Sequence, residues 1–212
     1  MKIIATNIAK PTTILWNGKE ETTGIYKTPT NHPVYLGKTD VKNDSVTDRK
    51  HHGGIFKACY LFSEVHYPYW KHLYPDLDWN WGMFGENLTV ADMDETAMYV
   101  GDIYRIGNAL VQVSQSREPC YKLGIKFGNQ NILKKFIQHG FSGTYISILE
   151  EGFVEVGDPL ILEERPKNSL TVAQLFHLLY DKTKSQNLLQ LTVNNAALPL
   201  YKREQLSKFI LN

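Results

Sequence analysis

Val100-Gly101-Asp102-Ile103-Tyr104-Arg105-Ile106-Gly107-Asn108-Ala109-Leu110-Val111-Gln112-Val113 is the stretch whose reading decides the fold class. Two runs rich in β-branched and aromatic residues flank a Gly-Asn pair, the pattern of two strands joined by a tight turn. The tripeptide Val-Gly-Asp introduces a strand here and again at 156–158, ahead of Pro159 to Leu162. Working outward, residues 2–10, 34–36, 58–62 and 144–149 read as further short strands, and Gly24 to Pro29 as an extended segment approaching a turn. Many short strands with regular turn punctuation predict a barrel or a closed, strongly bent sheet, not a doubly wound parallel fold.

Helices are expected around this sheet at Pro68 to Leu73 and at Gln130 to Gln138, the second stopped by Gly140. The texture changes at Arg165-Pro166. Beyond it, Thr171 to Gln174 resembles a capping box ahead of an apolar face of Val172, Leu175, Phe176, Leu178 and Leu179, and Gln186 to Leu191 and Lys202 to Leu211 supply two more helices. The expected organisation is a mainly β domain over residues 1–165 and a three-helix extension over 166–212. The extension carries six Lys/Arg against two Asp/Glu. Its amphipathic faces are expected to pack against the β domain or against a second subunit, giving a homodimer.

Composition excludes several classes of function. A formal net charge of +1 provides no basic stripe for nucleic acid or an anionic membrane surface. No apolar run approaches the length of a membrane span, and the N-terminus turns polar too soon for a signal peptide. Two cysteines without a CxxC pair make neither a disulfide framework nor a zinc finger, so a reducing, cytoplasmic location and a small-molecule substrate are expected.

Three polar constellations are candidate sites. In Ser114-Gln115-Ser116-Arg117-Glu118-Pro119-Cys120-Tyr121-Lys122 a cysteine directly follows a proline that restricts the preceding backbone, with Arg117 and Lys122 nearby to favour the thiolate. A free cysteine is otherwise a small hydrophobe, which describes Cys59 within Ala58-Cys59-Tyr60-Leu61-Phe62. Asp48-Arg49-Lys50-His51-His52-Gly53-Gly54 is either a solvated loop or an anion cradle, since paired glycines let a ligand approach the main chain. Phe84-Gly85-Glu86-Asn87-Leu88 places two polar side chains at the mouth of a strand. His139 closes a helix, and the Tyr/Trp-rich stretch from Tyr67 to Trp81 serves either packing or the cover of a planar ligand.

Taken in order with Gly24-Ile25-Tyr26-Lys27-Thr28-Pro29, these segments resemble the MOSC family, and most closely its YiiM-like branch, linked to resistance to N-hydroxylated bases such as 6-N-hydroxylaminopurine. The resemblance spans nearly the whole chain. It implies a MOSC-type β-barrel core with peripheral helices, a C-terminal three-helix extension, and a molybdenum cofactor (molybdopterin, not pyridoxal phosphate) whose metal takes a protein thiolate as an additional ligand. By motif position that ligand is Cys120. Ser116 stands where the family often has proline, a departure that touches loop rigidity. The implied activity is molybdenum-dependent reduction of N-hydroxylated compounds to amines, with electrons from a separate reductase. Lys27, Arg49, Lys50 and Arg117 would anchor the pterin phosphate, Asn87 would hydrogen-bond pterin or substrate, and His51, His52 and Glu86 would transfer protons. Two alternatives stay open: a cofactor carrier or sensor without catalysis, and a thiol enzyme in which Cys120 is activated by His51, His52 or His139.

Overall fold

The structure, a computed structural model, describes residues 1–47 and 53–211. Among the described residues, twelve strands precede the C-terminal helices. They are β1 Lys2–Ile8, β2 Thr12–Trp16, β3 Lys19–Thr23, β4 Thr28–Thr30, β5 Val34–Leu36, β6 Cys59–Ser63, β7 Leu88–Ala91, β8 Ile103–Ile106, β9 Ala109–Ser116, β10 Thr144–Glu150, β11 Gly152–Val154 and β12 Leu160–Glu164. Helices α1 Tyr67–Leu73, α2 Tyr121–Lys126 and α3 Asn131–His139 lie between them, and α4 Val172–Tyr180, α5 Gln186–Val193 and α6 Leu200–Ser207 follow.

Eight strands form one mixed sheet in the order β12-β8-β9-β10-β6-β7-β1-β4, in which only β6 and β7 run parallel. Among the described residues, β1 meets the start of β12 through one bridge, Lys2 to Pro159, with three backbone hydrogen bonds beside it: Ile3 N to Asp158 O, Gly157 N to Ile3 O and Leu160 N to Met1 O. The class is the expected one, but no continuous ladder closes a barrel among the described residues.

The β8–β9 hairpin turns on Gly107-Asn108 with Ile106 opposite Ala109, as its sequence predicts. The two Val-Gly-Asp segments make the same turn twice. Gly101 and Gly157 both adopt positive φ (96° and 100°), and the aspartate that follows each, Asp102 or Asp158, accepts the N–H of the residue three before it, Tyr99 at 3.0 Å and Glu155 at 2.8 Å. Asp102 is fully buried and also receives a bidentate contact from Arg165, Nε at 2.9 Å and Nη2 at 2.7 Å. That pair fastens the end of the sheet domain where the sequence changes texture.

Strand β6 is buried at all five positions because the sheet is covered on both sides there. Cys59 and Leu61 enter an aliphatic core with Ile3, Leu88, Val111 and Ile146. Tyr60 and Phe62 enter an aromatic core with Tyr67, Trp70, Phe84 and Phe136, so the Tyr/Trp-rich stretch packs. The extension has its own apolar cluster, centred on Leu170, Leu175, Leu189 and Leu198, yet Val172 reaches the aliphatic core and Phe176 the aromatic one. The Thr171–Gln174 capping box forms in both directions, at 2.9 and 3.1 Å. Three differences from the sequence reading stand out. A β2–β3 hairpin turns on Asn17-Gly18 where the sequence reading places no strand, α2 follows Cys120 directly, and α6 begins after Pro199 and ends at Ser207.

His139 does more than cap α3. Its Nε2 lies 3.2 Å from Nδ1 of His66, whose neighbour Glu95 is fully buried and accepts the N–H groups of Ser142 (3.0 Å) and Gly143 (2.8 Å). Burial pushes the Glu95 carboxyl up to about 7; burial, then His139, pulls the His66 imidazole down to about 4. The two oppose each other in stability. Glu95 holds its proton more tightly when folded, so its contribution is present in acid and is lost as pH rises through about 7. His66 releases its proton more readily when folded, so stability is lost as pH falls from roughly 6.5 towards about 4. Chemical denaturation of wild type should show the two slopes offsetting each other between roughly pH 4.5 and 6.5. Glu95→Gln should instead lose stability steadily on acidification through that window, and an unchanged profile would refute the assignment.

Candidate functional site

A cleft enclosing about 660 Å³, part of it open to solvent, lies where loops from distant parts of the chain converge. Its walls come from the loop after β3 (Thr23 to Lys27), the turn after β5 (Asp44 to Thr47), the approach to β6 (Lys57 to Tyr60), the Phe84–Asn87 turn before β7, and the Arg117–Lys122 segment between β9 and α2. Register explains the convergence. Leu88 of β7 and Thr144 of β10 both pair with Leu61 of β6, and Thr144 also pairs with Ser116 of β9, so the segment before β7 and the one after β9 meet at one level of the sheet. Gly24 permits the close approach of two of these loops, because a Cβ there would meet the Ser45 carbonyl oxygen at 1.9 Å. The β2–β3 hairpin flanks the cysteine: Trp16 stacks on Tyr121 with ring centroids 5.1 Å apart, and the Tyr121 hydroxyl donates to Glu21.

Cys120 lines the cleft, half-buried, at the N-cap of α2. Arg117 lines it too and is only 5% exposed, its guanidinium 5.2 Å from the Tyr60 ring centroid and 5.4 Å from that of Phe136. Its Nη1 is buried without a hydrogen-bond partner, and neither Arg117 nor Lys122 is ion-paired among the described residues. Lys27 also faces the cleft, but its ammonium is paired with Asp44. Among the described lining residues, Arg117 and Lys122 thus add positive charge beside the Lys27–Asp44 pair. Such a surface attracts an anion.

Two expected site residues have structural duties. Glu86 does not line the cleft and is fully buried. Its carboxylate accepts from the Tyr67 hydroxyl (2.5 Å), the Thr89 hydroxyl (2.9 Å) and the N–H groups of Gly82 (2.8 Å) and Phe84 (3.1 Å). These four donors hold it in the interior, away from the cleft to which the sequence reading assigns its proton-transfer role. Asn87 does line the cleft, yet its amide is occupied, donating to Asp44 at 2.9 Å and to Asn7 O at 3.3 Å and accepting from Tyr60 N at 3.2 Å. It therefore orients Asp44, which in turn holds Lys27 and the N–H of Ala9.

Asp48, Arg49, Lys50, His51 and His52 lie outside the described residues. Thr47 and Gly53, the described residues on either side, both line the cleft. His139 is far from this role, engaged with His66 beneath α1. Sequence reading missed Asp44, Tyr60 and Tyr145 as lining residues. Tyr60 and Tyr145 meet only because β6 and β10 pair in a register that sets them opposite each other, and no local signal carries that.

Residues 48–161 match the MOSC domain. The chain belongs to the MOSC domain family. Among curated proteins, YflK of Bacillus subtilis, described as uncharacterized, is 36% identical over 92% of this chain and 88% of its own length. A protein of Gibberella moniliformis described as a reductase is 34% identical over 81% of this chain, which spans only 31% of that larger protein. Among solved structures, YiiM from Geobacillus stearothermophilus superposes with a TM-score of 0.82 at 35% identity and covers 99% of both chains. This is a YiiM-like MOSC protein, and binding of a molybdenum cofactor is a trait of MOSC domains. No helix among the described residues is long and apolar enough to cross a membrane.

Proposed function

We propose that the cleft binds a molybdenum cofactor through the Cys120 thiolate and that the loaded protein reduces N-hydroxylated compounds, N-hydroxylated purine bases among them, to amines. The observation that carries this reading is a buried arginine with an orphaned Nη1 that lines the same cleft as a half-buried cysteine. A buried guanidinium without a carboxylate is costly unless an anion completes it, and a soft thiolate suits molybdenum. The residues therefore fit an anionic metal cofactor. When bound, the cofactor supplies the two electrons for cleavage of the N–O bond, whose oxygen leaves as water after two proton transfers.

The chain's own residues anchor and orient. Arg117 and Lys122 hold negative charge, Lys27 is kept in place by Asp44, and the rings of Tyr60, Phe84 and Tyr145 form an apolar wall. His51 and His52 remain the proposed proton donors and Arg49 and Lys50 further anchors, on the strength of the family motif. A separate electron donor, a cytoplasmic setting and the division into a sheet domain and a helical extension after residue 165 belong to the same proposal. The carrier reading shares the cofactor site and differs only in lacking reduction, so an anaerobic assay of loaded protein with an N-hydroxylated purine separates the two.

Arg117 offers the sharpest test of the anion. Arg117→Lys keeps the charge but loses the planar fork, and Arg117→Ala loses both, so molybdenum retained through purification should fall by about tenfold or more in the alanine variant. Wild-type molybdenum content in a folded Arg117→Ala protein would remove this arginine from the site.

A further inference from the structure

The C-terminal helix α6 reaches the cysteine loop. Lys202 is 2% exposed, and its ammonium donates to Glu118 at 2.6 Å and to Gln205 at 3.0 Å. One residue earlier, the Tyr201 hydroxyl donates to Gln115 at 3.2 Å. Both partners in the sheet domain, Gln115 and Glu118, belong to the segment that ends in Cys120. A helix that only covered the sheet would place an apolar side chain at position 202, because burying an ammonium is unfavourable unless a carboxylate meets it. The neighbour of Glu118, Arg117, lines the cleft, while Glu118 itself is paired with α6, so one peptide unit links the cleft to the extension. Pro119 limits the conformations open to Glu118 and passes the restraint on to Cys120.

We infer that α6 clamps the cysteine loop and that Lys202, through Glu118, is a positioning residue for the Cys120 thiol. This deepens the proposed function, since it rests on Cys120 being the working thiol. Without the ion pair the loop samples more conformations, and Cys120 becomes more accessible in protein that is otherwise folded.

Alkylation by iodoacetamide reads this directly on cofactor-free full-length protein, because Cys59 is fully buried and silent. The rate is taken at a pH where the thiol is ionised and well below the unfolding midpoint, so that it reports access. Lys202→Met and Glu118→Gln should each raise it by about fivefold, the double variant should match either single one, and Lys202→Arg should behave like wild type. Glu118, whose side chain is 40% exposed, keeps the test decisive should Lys202→Met fail to fold. Wild-type alkylation rates in a folded Glu118→Gln variant would overturn the clamp, as would independent, multiplying effects in the double variant. A lowered unfolding midpoint with unchanged alkylation would do the same, since it would make the pair a stability element alone. Raised alkylation in a protein that takes up no molybdenum would support the clamp and count against the cofactor reading, so the two fail separately.

Discussion

Cys120→Ser should fold like wild type and lose reductase activity by about 100-fold or more, because a hard, protonated hydroxyl replaces the soft thiolate proposed to bind the metal. The substitution is nearly isosteric and Cys120 is half-buried at the edge of the cleft, so little packing is at risk. Activity is measured anaerobically with molybdenum content determined on the same samples. Full activity in a variant that retains molybdenum would remove Cys120 from the metal, whatever the family resemblance implies. Cys59→Ser provides the contrast: it buries a hydroxyl in the aliphatic core at a cost of about 1–3 kcal/mol and should leave the activity of the folded fraction unchanged.

The second large effect falls on stability. Glu86→Ala strips the acceptor from two hydroxyls and two backbone N–H groups at once, those of Tyr67, Thr89, Gly82 and Phe84, all within the protein interior. Each stranded donor costs about 1–3 kcal/mol, and relaxation recovers part of it, so a loss of about 4 kcal/mol is expected in chemical denaturation. Glu86→Gln should lose less, because its carbonyl oxygen still accepts while its NH2 faces donors. The distinction matters for mechanism. If Glu86 moved protons, Glu86→Gln would be stable and inactive; as an anchor of the Gly82–Phe84 turn it should be destabilised with near-normal activity in the folded fraction.

The parts of the fold legible in the sequence are those governed by local chemistry. The β8–β9 hairpin, the paired Val-Gly-Asp turns and the Thr171 capping box each contain their own hydrogen-bond partners within a few residues. The Asn17-Gly18 dipeptide is as strong a local signal, and both residues adopt positive φ in the β2–β3 turn, so that hairpin is legible from its own residues. Helix α2 was not legible: Gly124 interrupts its short pattern, and it is held by contacts to Gln130 and to the β2–β3 hairpin.

The candidate site divides in the same way. Cys120 and Arg117 announce themselves by residue type and by the proline between them, and both line the cleft. Glu86 and Asn87 are indistinguishable in sequence from a catalytic pair, since their fate is settled by donors and acceptors contributed from residues 7, 44, 60, 67, 82, 84 and 89. Lys202 lies 82 positions beyond Cys120, and only the docking of α6 onto the loop brings its ammonium to Glu118.

The central claim is that Cys120 binds molybdenum in this cleft. X-ray absorption at the molybdenum edge tests it most directly, on wild type and Cys120→Ser purified without oxygen from a molybdenum-competent host. The account predicts molybdenum in the wild type with one more sulfur ligand than any metal retained by the serine variant. An identical sulfur shell in the two proteins, or wild-type protein that takes up no molybdenum, would contradict it.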